Sequence, residues 1–331
     1  MSKGSFLRSE AQEFYRLLKQ AKTIGIAGHV HPDGDCLGAM LSLKSFFEKQ
    51  GKQVKVLAEK DDLPESYVFL PGYDSITDEI PGFNFDIFIS VDAPNLKRLG
   101  RFKWAFTGAQ ETINIDHHPD NENFARLNIV HKDFSSTSEI IFWILKHSGM
   151  EIDLETATCL YVGIVTDTGK FQYSNTFPST FEAAKQLVER GVVPVEIFRK
   201  VYENIKPEVL KFLGVVLERV KSEDGFFWSY FTKQDLEKFK VKVSDTENFV
   251  DYIRSIRGVK VAALFKSIVD EQQWKVSLRS RGEINVQRLS AKFGGGGHYE
   301  AAGCEVSGTL DVAVRSILEV YRELMKEAEV I

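Results

Sequence analysis

Apolar residues recur along the chain at two spacings, and the alternation between them sets out an α/β protein. Residues 6–22 space their apolar side chains as an amphipathic helix does. Residues 24–27 are a short, fully apolar strand, 36–47 return to helical spacing, and 53–58 make a second strand. Two more strands follow, 85–91 ending at Asp92 and 112–115 running into Asp116-His117-His118. Strands that alternate with helices predict a mostly parallel sheet, with all C-terminal strand ends opening on one edge.

Farther along, Ser135-Ser136-Thr137-Ser138-Glu139 is a capping sequence for a helix reaching about residue 147. Asp153 caps another that ends in Thr166-Asp167-Thr168-Gly169. Residues 179–217 are helical and more charged, with Pro194 and Pro207 as punctuation, and read as a connector. Beyond it the period changes. Strands are expected at 226–231, 259–269 and 273–279, and helices at 247–257 and 312–328. The organisation expected is a parallel-sheet domain at 1–178, a helical connector at 179–217, and a smaller α/β domain at 218–331.

The totals narrow the class. A length of 331 residues exceeds the usual single core, which agrees with two domains. Hydrophobic residues at 43% and charged residues at 27% describe a globular chain rather than a disordered one. Charges interrupt every apolar run before the roughly 20 residues a membrane span needs, so no membrane residence is expected, and a cytoplasmic location follows. Cys36, Cys159 and Cys304 are odd in number and widely spaced, which supports neither a disulfide framework nor a thiolate zinc site. A net charge of -5 argues against a broad basic surface for long duplex nucleic acid. A short anionic substrate in a local pocket remains compatible with it.

The candidate chemistry collects at the expected strand ends. Gly28 to Ala39 brings His29, His31, Asp33 and Asp35 onto the turn between a strand and a helix, where an open α/β sheet lines its ligand crevice. Taken alone, the stretch reads equally as a polar turn in which Asp35 caps the next helix. Asp167 likewise reads either as a carboxylate projected into a site or as a turn aspartate bonded to its own backbone. Together, His29, Asp33, Asp35, Asp92, His117 and Asp167 supply four carboxylates and two imidazoles, a set that two divalent cations would balance. Carboxylate-rich ligation with some imidazole favours Mn²⁺, with Mg²⁺ next, over structural zinc. Two such cations make a shared water into hydroxide near neutral pH and steady the attacking and leaving oxygens of a phosphoryl displacement. His118 could contact the scissile phosphate, protonate the leaving oxygen, or support its neighbours.

The run Gly294-Gly295-Gly296-Gly297-His298 fits neither common nucleotide fingerprint. Its bare N–H groups could cradle a phosphate, with His298 as a further donor, or the run could be a tight turn. Arg279 and Ser280, at an expected strand end, could serve the same phosphate.

In these stretches the sequence resembles the DHH/DHHA1 phosphoesterases, in particular the group of nano-RNases, pAp phosphatases and cyclic-di-AMP or pApA phosphodiesterases. The markers are His29-Val30-His31-Pro32-Asp33-Gly34-Asp35, Val91-Asp92, Asp116-His117-His118, Thr166-Asp167-Thr168-Gly169 and Gly294 to His298, in family order and spacing over nearly the whole chain. The resemblance implies one cation held by His29, Asp33 and Asp92. It implies a second held by Asp35, Asp92, His117 and Asp167, with Asp92 bridging and Asp116 behind the ligands. It further implies that Arg279, Ser280, the glycine run and His298 grip the terminal phosphate or nucleotide across a cleft between domains that the connector lets open and close. A homodimer is implied as well. Three positions depart from the pattern: His31 stands where asparagine is common, Cys36 where alanine is usual, and Gln172 where a basic residue often follows. No metal ligand is lost, and Arg98 could compensate for Gln172 as a phosphate contact.

The expectation is therefore a Mn²⁺-dependent phosphodiesterase that cuts short nucleotides such as pApA, with nano-RNA and cyclic di-AMP as further candidates, to 5'-mononucleotides. A 3'-phosphoadenosine 5'-phosphate phosphatase using the same residues is the nearest alternative. A nucleotide sensor without turnover is the alternative from another class, and a nucleic-acid binding module is disfavoured by the acidic balance.

Overall fold

The computed structural model describes residues 7–80, 82, 84–269 and 271–328, so residue 6 of the first expected helix lies outside the described part. The chain divides into two compact units, Met1–Asn204 and Ile205–Ile331.

In the first unit the elements run α1 (Arg8–Leu18), β1 (Thr23–Ala27), α2 (Gly34–Glu48), β2 (Gln53–Leu57), β3 (Ile87–Val91), α3 (Lys103–Thr107), β4 (Glu111–Asp116) and β5 (Leu127–Val130). They continue with α4 (Thr137–His147), α5 (Leu154–Asp167), α6 (Pro178–Glu189) and α7 (Pro194–Tyr202). The five strands form a sheet in the order β2-β1-β3-β4-β5, every pairing parallel. Both faces are covered, which is why the strands read as continuous apolar runs. Ile24, Ile26, Ile87, Ile89 and Val91 turn to the side packed by α1, α2, α4 and α5, while Ala27, Phe85 and Phe88 meet Phe102 and Phe106 on the other. Helix α2 lies against α5 and is buried on nearly every side. That position explains the apolar run from Cys36 to Leu41.

Residues 179–217 are helical as expected. Pro178, Pro194 and Pro207 each begin a helix, where the missing N–H costs nothing. Ala183, Leu187 and Ile197 of α6 and α7 join the core of the first unit. Helix α8 (Pro207–Glu218) belongs to the second unit.

That unit continues with β6 (Lys221–Glu223), β7 (Phe226–Phe231), α9 (Lys233–Phe239), α10 (Phe249–Arg254), β8 (Val261–Lys266) and β9 (Gln273–Ser280). It ends with α11 (Val286–Ala291), β10 (Gly296–Gly297), β11 (Ala301–Ser307) and α12 (Leu310–Ala328). Its mixed sheet has the order β10-β11-β9-β8-β7-β6, parallel only between β7 and β8. Val261, Ala263 and Phe265 face the core shared with α11 and α12, and Ala262 and Leu264 face the core shared with α8, α9 and α10.

Two expected spans are shorter than the sequence pattern suggests. The helix at 247–257 is confined to Phe249–Arg254 and the strand at 259–269 to Val261–Lys266, because Gly258 turns the chain between them at φ +87°. Strands β5, β6, β10 and β11 and helices α3, α9 and α11 go beyond the elements the sequence pattern predicts. The three cysteines are free thiols and buried. Among the described residues no helix is long and apolar enough to cross a membrane.

Candidate metal centre

The parallel sheet delivers its polar residues at one edge. His29 follows β1, Asp92 follows β3, Asp116 ends β4 with His117 and His118 behind it, and Asp167 ends α5. Asp33 and Asp35 flank Gly34 at the start of α2. It is Asp33, not Asp35, that caps this helix, its Oδ1 accepting the N–H groups of Asp35 and Cys36 at 3.0 Å each. Asp35 lies inside the first turn and is turned wholly inward.

Asp92 is the centre of the cluster. Its Oδ2 stands 3.5 Å from His29 Nε2, and its Oδ1 stands 3.7 Å from His117 Nε2 and 3.6 Å from His118 Nδ1. His29 Nε2 also lies 3.9 Å from Asp33 Oδ1, and His117 Nε2 lies 3.6 Å from Asp167 Oδ2. Donor atoms of Asp35, His117 and Asp167 fall within 4.8 Å of one another, as do those of His29, Cys36 and Asp92. The backbone helps to aim the central group: Asp92 is held at φ +54°, in the left-handed region that aspartate tolerates better than most residues.

Electrostatics show what the cluster lacks. Burial pushes the carboxyl of Asp35 well above the usual range, and the charge of Asp92 adds to that. Asp167 is raised in the same way, by burial and then by Asp35, Asp33 and Asp92. Asp92 goes the other way: burial opposes its charge, but the hydrogen bond from His29 and the charges of His118, His29 and His117 hold it ionised. Two carboxyls forced toward the neutral form beside one that stays charged make a donor set in want of positive charge, and divalent cations fit it.

Supporting groups come from stretches that carry no catalytic motif. The N-terminus of α4 points at the cluster, so Thr137 and Ser138 donate backbone N–H to Asp35 Oδ2 and Oδ1 at 2.7 and 2.9 Å. The Thr137 hydroxyl donates to Asp92 Oδ1 at 3.0 Å. Asn175 Nδ2 donates to Asp167 Oδ2 at 3.2 Å. Ser136 caps α4 through the N–H of Glu139, as the capping sequence implies, and the buried carboxylate of Glu139 ties Ser135 and Thr180 together. Gly163 of α5 leaves room for this convergence. A Cβ there would stand 2.7 Å from Asp35 Oδ1 and collide with the Ser138 hydroxyl.

Asp116 is fully buried, with a carboxylate oxygen within 4.8 Å of ligand atoms of Asp92 and His118. Its Oδ1 accepts from His117 N at 2.8 Å and from His118 Nδ1 at 2.7 Å, and its Oδ2 accepts from Asn121 at 2.6 Å. Burial works against a charge on His118, but Asp116 outweighs it and lifts the imidazole to about 10. Asp116 therefore orients and charges His118. Cys36 is a neutral thiol, raised by burial and then by Asp92 and Asp33. His31 points away from the ligands, with its Nδ1 3.1 Å from Asp62 Oδ1.

The other candidate residues belong to other elements. Arg98 is exposed in the first unit, on the segment after β3, and its carbonyl accepts the N–H of Val30 at 2.8 Å. Arg279, Ser280, Gly294 to Gly297 and His298 belong to the second unit. Arg279 and Ser280 end β9, and Gly296 and Gly297 form β10 against β11. Arg279 Nε is 3.6 Å from Asp251 Oδ1, and both Arg279 Nε and Ser280 Oγ are buried with no hydrogen-bond partner among the described residues. In the glycine run, a Cβ on Gly295 would strike Gly303 O and Ser290 Oγ, whereas one on Gly296 would meet open space. Packing thus accounts for Gly295 but places no demand on Gly296.

Comparison with known proteins agrees with the geometry. Residues 23–164 match the model of the DHH family N-terminal domain and residues 224–327 that of the DHHA1 domain. A bifunctional oligoribonuclease and PAP phosphatase, NrnA, of Thermus thermophilus is 32% identical over 92% of this chain and 91% of its own. The protein of the same name from Bacillus subtilis is 30% identical over 96% and 99%. Among solved structures, an exopolyphosphatase-related protein from Bacteroides fragilis superposes with a TM-score of 0.89 at 32% identity, covering 96% of this chain and 98% of that one.

Proposed function

Because the chain belongs to the DHH family and carries the DHHA1 domain behind it, it is a metal-dependent phosphoesterase, and we propose that it cuts very short 5'-phosphorylated ribonucleotides such as pApA to mononucleotides. The observation that carries the reading is the position of Asp92, one oxygen toward His29 and the other toward His117. A carboxylate so placed suits a pair of cations, Mn²⁺ first and Mg²⁺ second. His29, Asp33 and Asp92 would hold one, and Asp35, Asp92, His117 and Asp167 the other. When bound, the cations supply Lewis-acid polarisation of the phosphate and a water acidic enough to attack at neutral pH.

The chain's own residues do the rest. Helix α4 offers Asp35 two N–H donors, so that carboxylate is fixed before any cation arrives. With Nδ1 of His118 engaged by Asp116, Nε2 is the nitrogen that would donate a proton to the leaving oxygen. In the second unit, Arg279, Ser280, Gly294 to Gly297 and His298 would hold substrate phosphate. The Ser280 Oγ, buried without a hydrogen-bond partner among the described residues, and the open side of Gly296 support this.

The names of the relatives from Thermus thermophilus and Bacillus subtilis favour a second activity at the same residues, removal of the 3' phosphate of pAp. The same reading takes the enzyme as a cytoplasmic homodimer. A product time course with Mn²⁺ on pApA, pGpG, cyclic di-AMP, pAp and labelled RNA of two to about ten nucleotides tests it. AMP from pApA and pAp is the expected result. Binding of pApA by calorimetry with no AMP released would replace the enzyme reading with a sensor.

A further inference from the structure

The segment that returns from β3 to β4 carries an unbalanced charge. No acidic residue occurs between Asp92 and Glu111, while Lys97, Arg98, Arg101 and Lys103 fall within seven positions of a chain whose net charge is -5. Arg101 is neutralised, its Nε 2.7 Å from Glu59 Oε1 and its guanidinium near Asp78. Lys97 and Arg98 are exposed and have no carboxylate within ion-pair distance among the described residues. Trp104 follows with 70% of its surface exposed, and Lys103 Nζ lies 5.0 Å from its ring centroid.

The position of this strip is fixed, not floating. Leu99, Phe102 and Phe106 anchor it in the core on the back of the sheet. At its start, the Arg98 carbonyl accepts the N–H of Val30, the residue between the two histidines of the first metal-site loop. Gly100, at φ +56°, packs so tightly on the same residue that a Cβ would stand 2.8 Å from Val30 Cγ1. At its far end, Gln110 N–H bonds to the Phe85 carbonyl, just before β3 begins. The strip therefore runs from the metal-bearing edge of the sheet to the opposite edge, a distance of about 16 Å for a five-residue strand.

Unpaired cations beside the reacting centre and an exposed indole farther off are the two components with which proteins hold single-stranded nucleic acid, by phosphate contact and by base stacking. We propose that Lys97, Arg98, Lys103 and Trp104 form an accessory site for the part of an RNA oligonucleotide that extends beyond the scissile bond. Lys97 and Arg98 take phosphates next to the metal centre, and Trp104 stacks a base a few nucleotides away. The site rests on the short-nucleotide reading given above and adds to it a determinant of chain length.

The test compares a dinucleotide with a five-nucleotide RNA. In Trp104→Ala, KM for the five-mer rises roughly tenfold while KM for pApA stays within about twofold, as loss of one stacked base predicts. Lys97→Glu weakens the five-mer similarly and lowers the salt dependence of its binding. Affinity is also read by anisotropy of the labelled five-mer in an Asp92→Asn background. If the wild type proves to hydrolyse no RNA, the proposed reaction fails while this binding measurement still decides the strip. Equal losses for both lengths, or an unchanged affinity for the five-mer in both variants, would overturn the proposal.

Discussion

Gly163 faces Asp35 across the α2–α5 interface so closely that a Cβ on the glycine would stand 2.7 Å from Oδ1 of the aspartate. The carboxylate is held there by hydrogen bonds from the N–H groups of Thr137 and Ser138. Gly163→Ala should therefore act on the metal ligand as well as on packing. The expected cost is about 1–3 kcal/mol of stability in urea unfolding, with a fall of up to about 10²-fold in kcat on pApA from the displaced carboxylate. A variant with wild-type turnover would show that Asp35 needs no such exact placement.

Metal binding should be visible without any turnover. A ligand that binds only the folded state at a hundred times its Kd stabilises by about 2.7 kcal/mol, so Mn²⁺ should raise the Tm of the wild type by several degrees. Asp92→Asn removes the carboxylate that faces both histidines. It should lose most of that shift together with the phosphoesterase activity. Retention of the full Mn²⁺ shift would place the cations elsewhere.

A third expectation concerns the second unit. Lys266 ends β8 at 5% exposure, and burial pushes its amine down to about 8; Glu247 opposes the shift, and Lys275 and Arg279 reinforce it. In the unfolded chain the proton is held up to about pH 10.4. Between these values the unfolded state binds more protons than the folded one, so stability should rise with pH from about 8 to about 10.4, by on the order of 3 kcal/mol. Lys266→Met should abolish that rise and be at least as stable as wild type at pH 7. Urea unfolding at pH 7, 8.5 and 10 compares the two, and parallel slopes would assign the rise to other groups.

The sheet and most of the polar cluster were legible because their signals are local. The apolar runs of β1, β3 and β4 lead within two residues into His29, Asp92 and Asp116-His117-His118. What stayed hidden depends on distance in the chain or on burial. Asp33 and Asp35 are two residues apart and chemically identical, so only packing decides that one caps α2 in solvent while the other turns inward. Thr137 acts on Asp35 from 102 positions away and partly through its backbone N–H, and its sequence context is that of an ordinary helix start. Asn175 has no motif at all. Strand β11 escaped notice because its first residues, Ala301-Ala302-Gly303, have neither the size nor the branching that marks a strand. Packing likewise accounts for Gly28, whose hypothetical Cβ would collide with Cys36 Sγ.

The left-handed backbone at Asp92 narrows what could ever replace it. Glycine, asparagine and aspartate are the residues that adopt this conformation at low cost. Glycine would bring no ligand atom, and asparagine would bring a neutral one with a single carbonyl oxygen. Position 92 is thus closed to gradual substitution from two independent directions, conformation and charge. Room for change in the donor set therefore lies with its neighbours, such as Cys36, whose thiol shares a potential ligand group with His29 and Asp92.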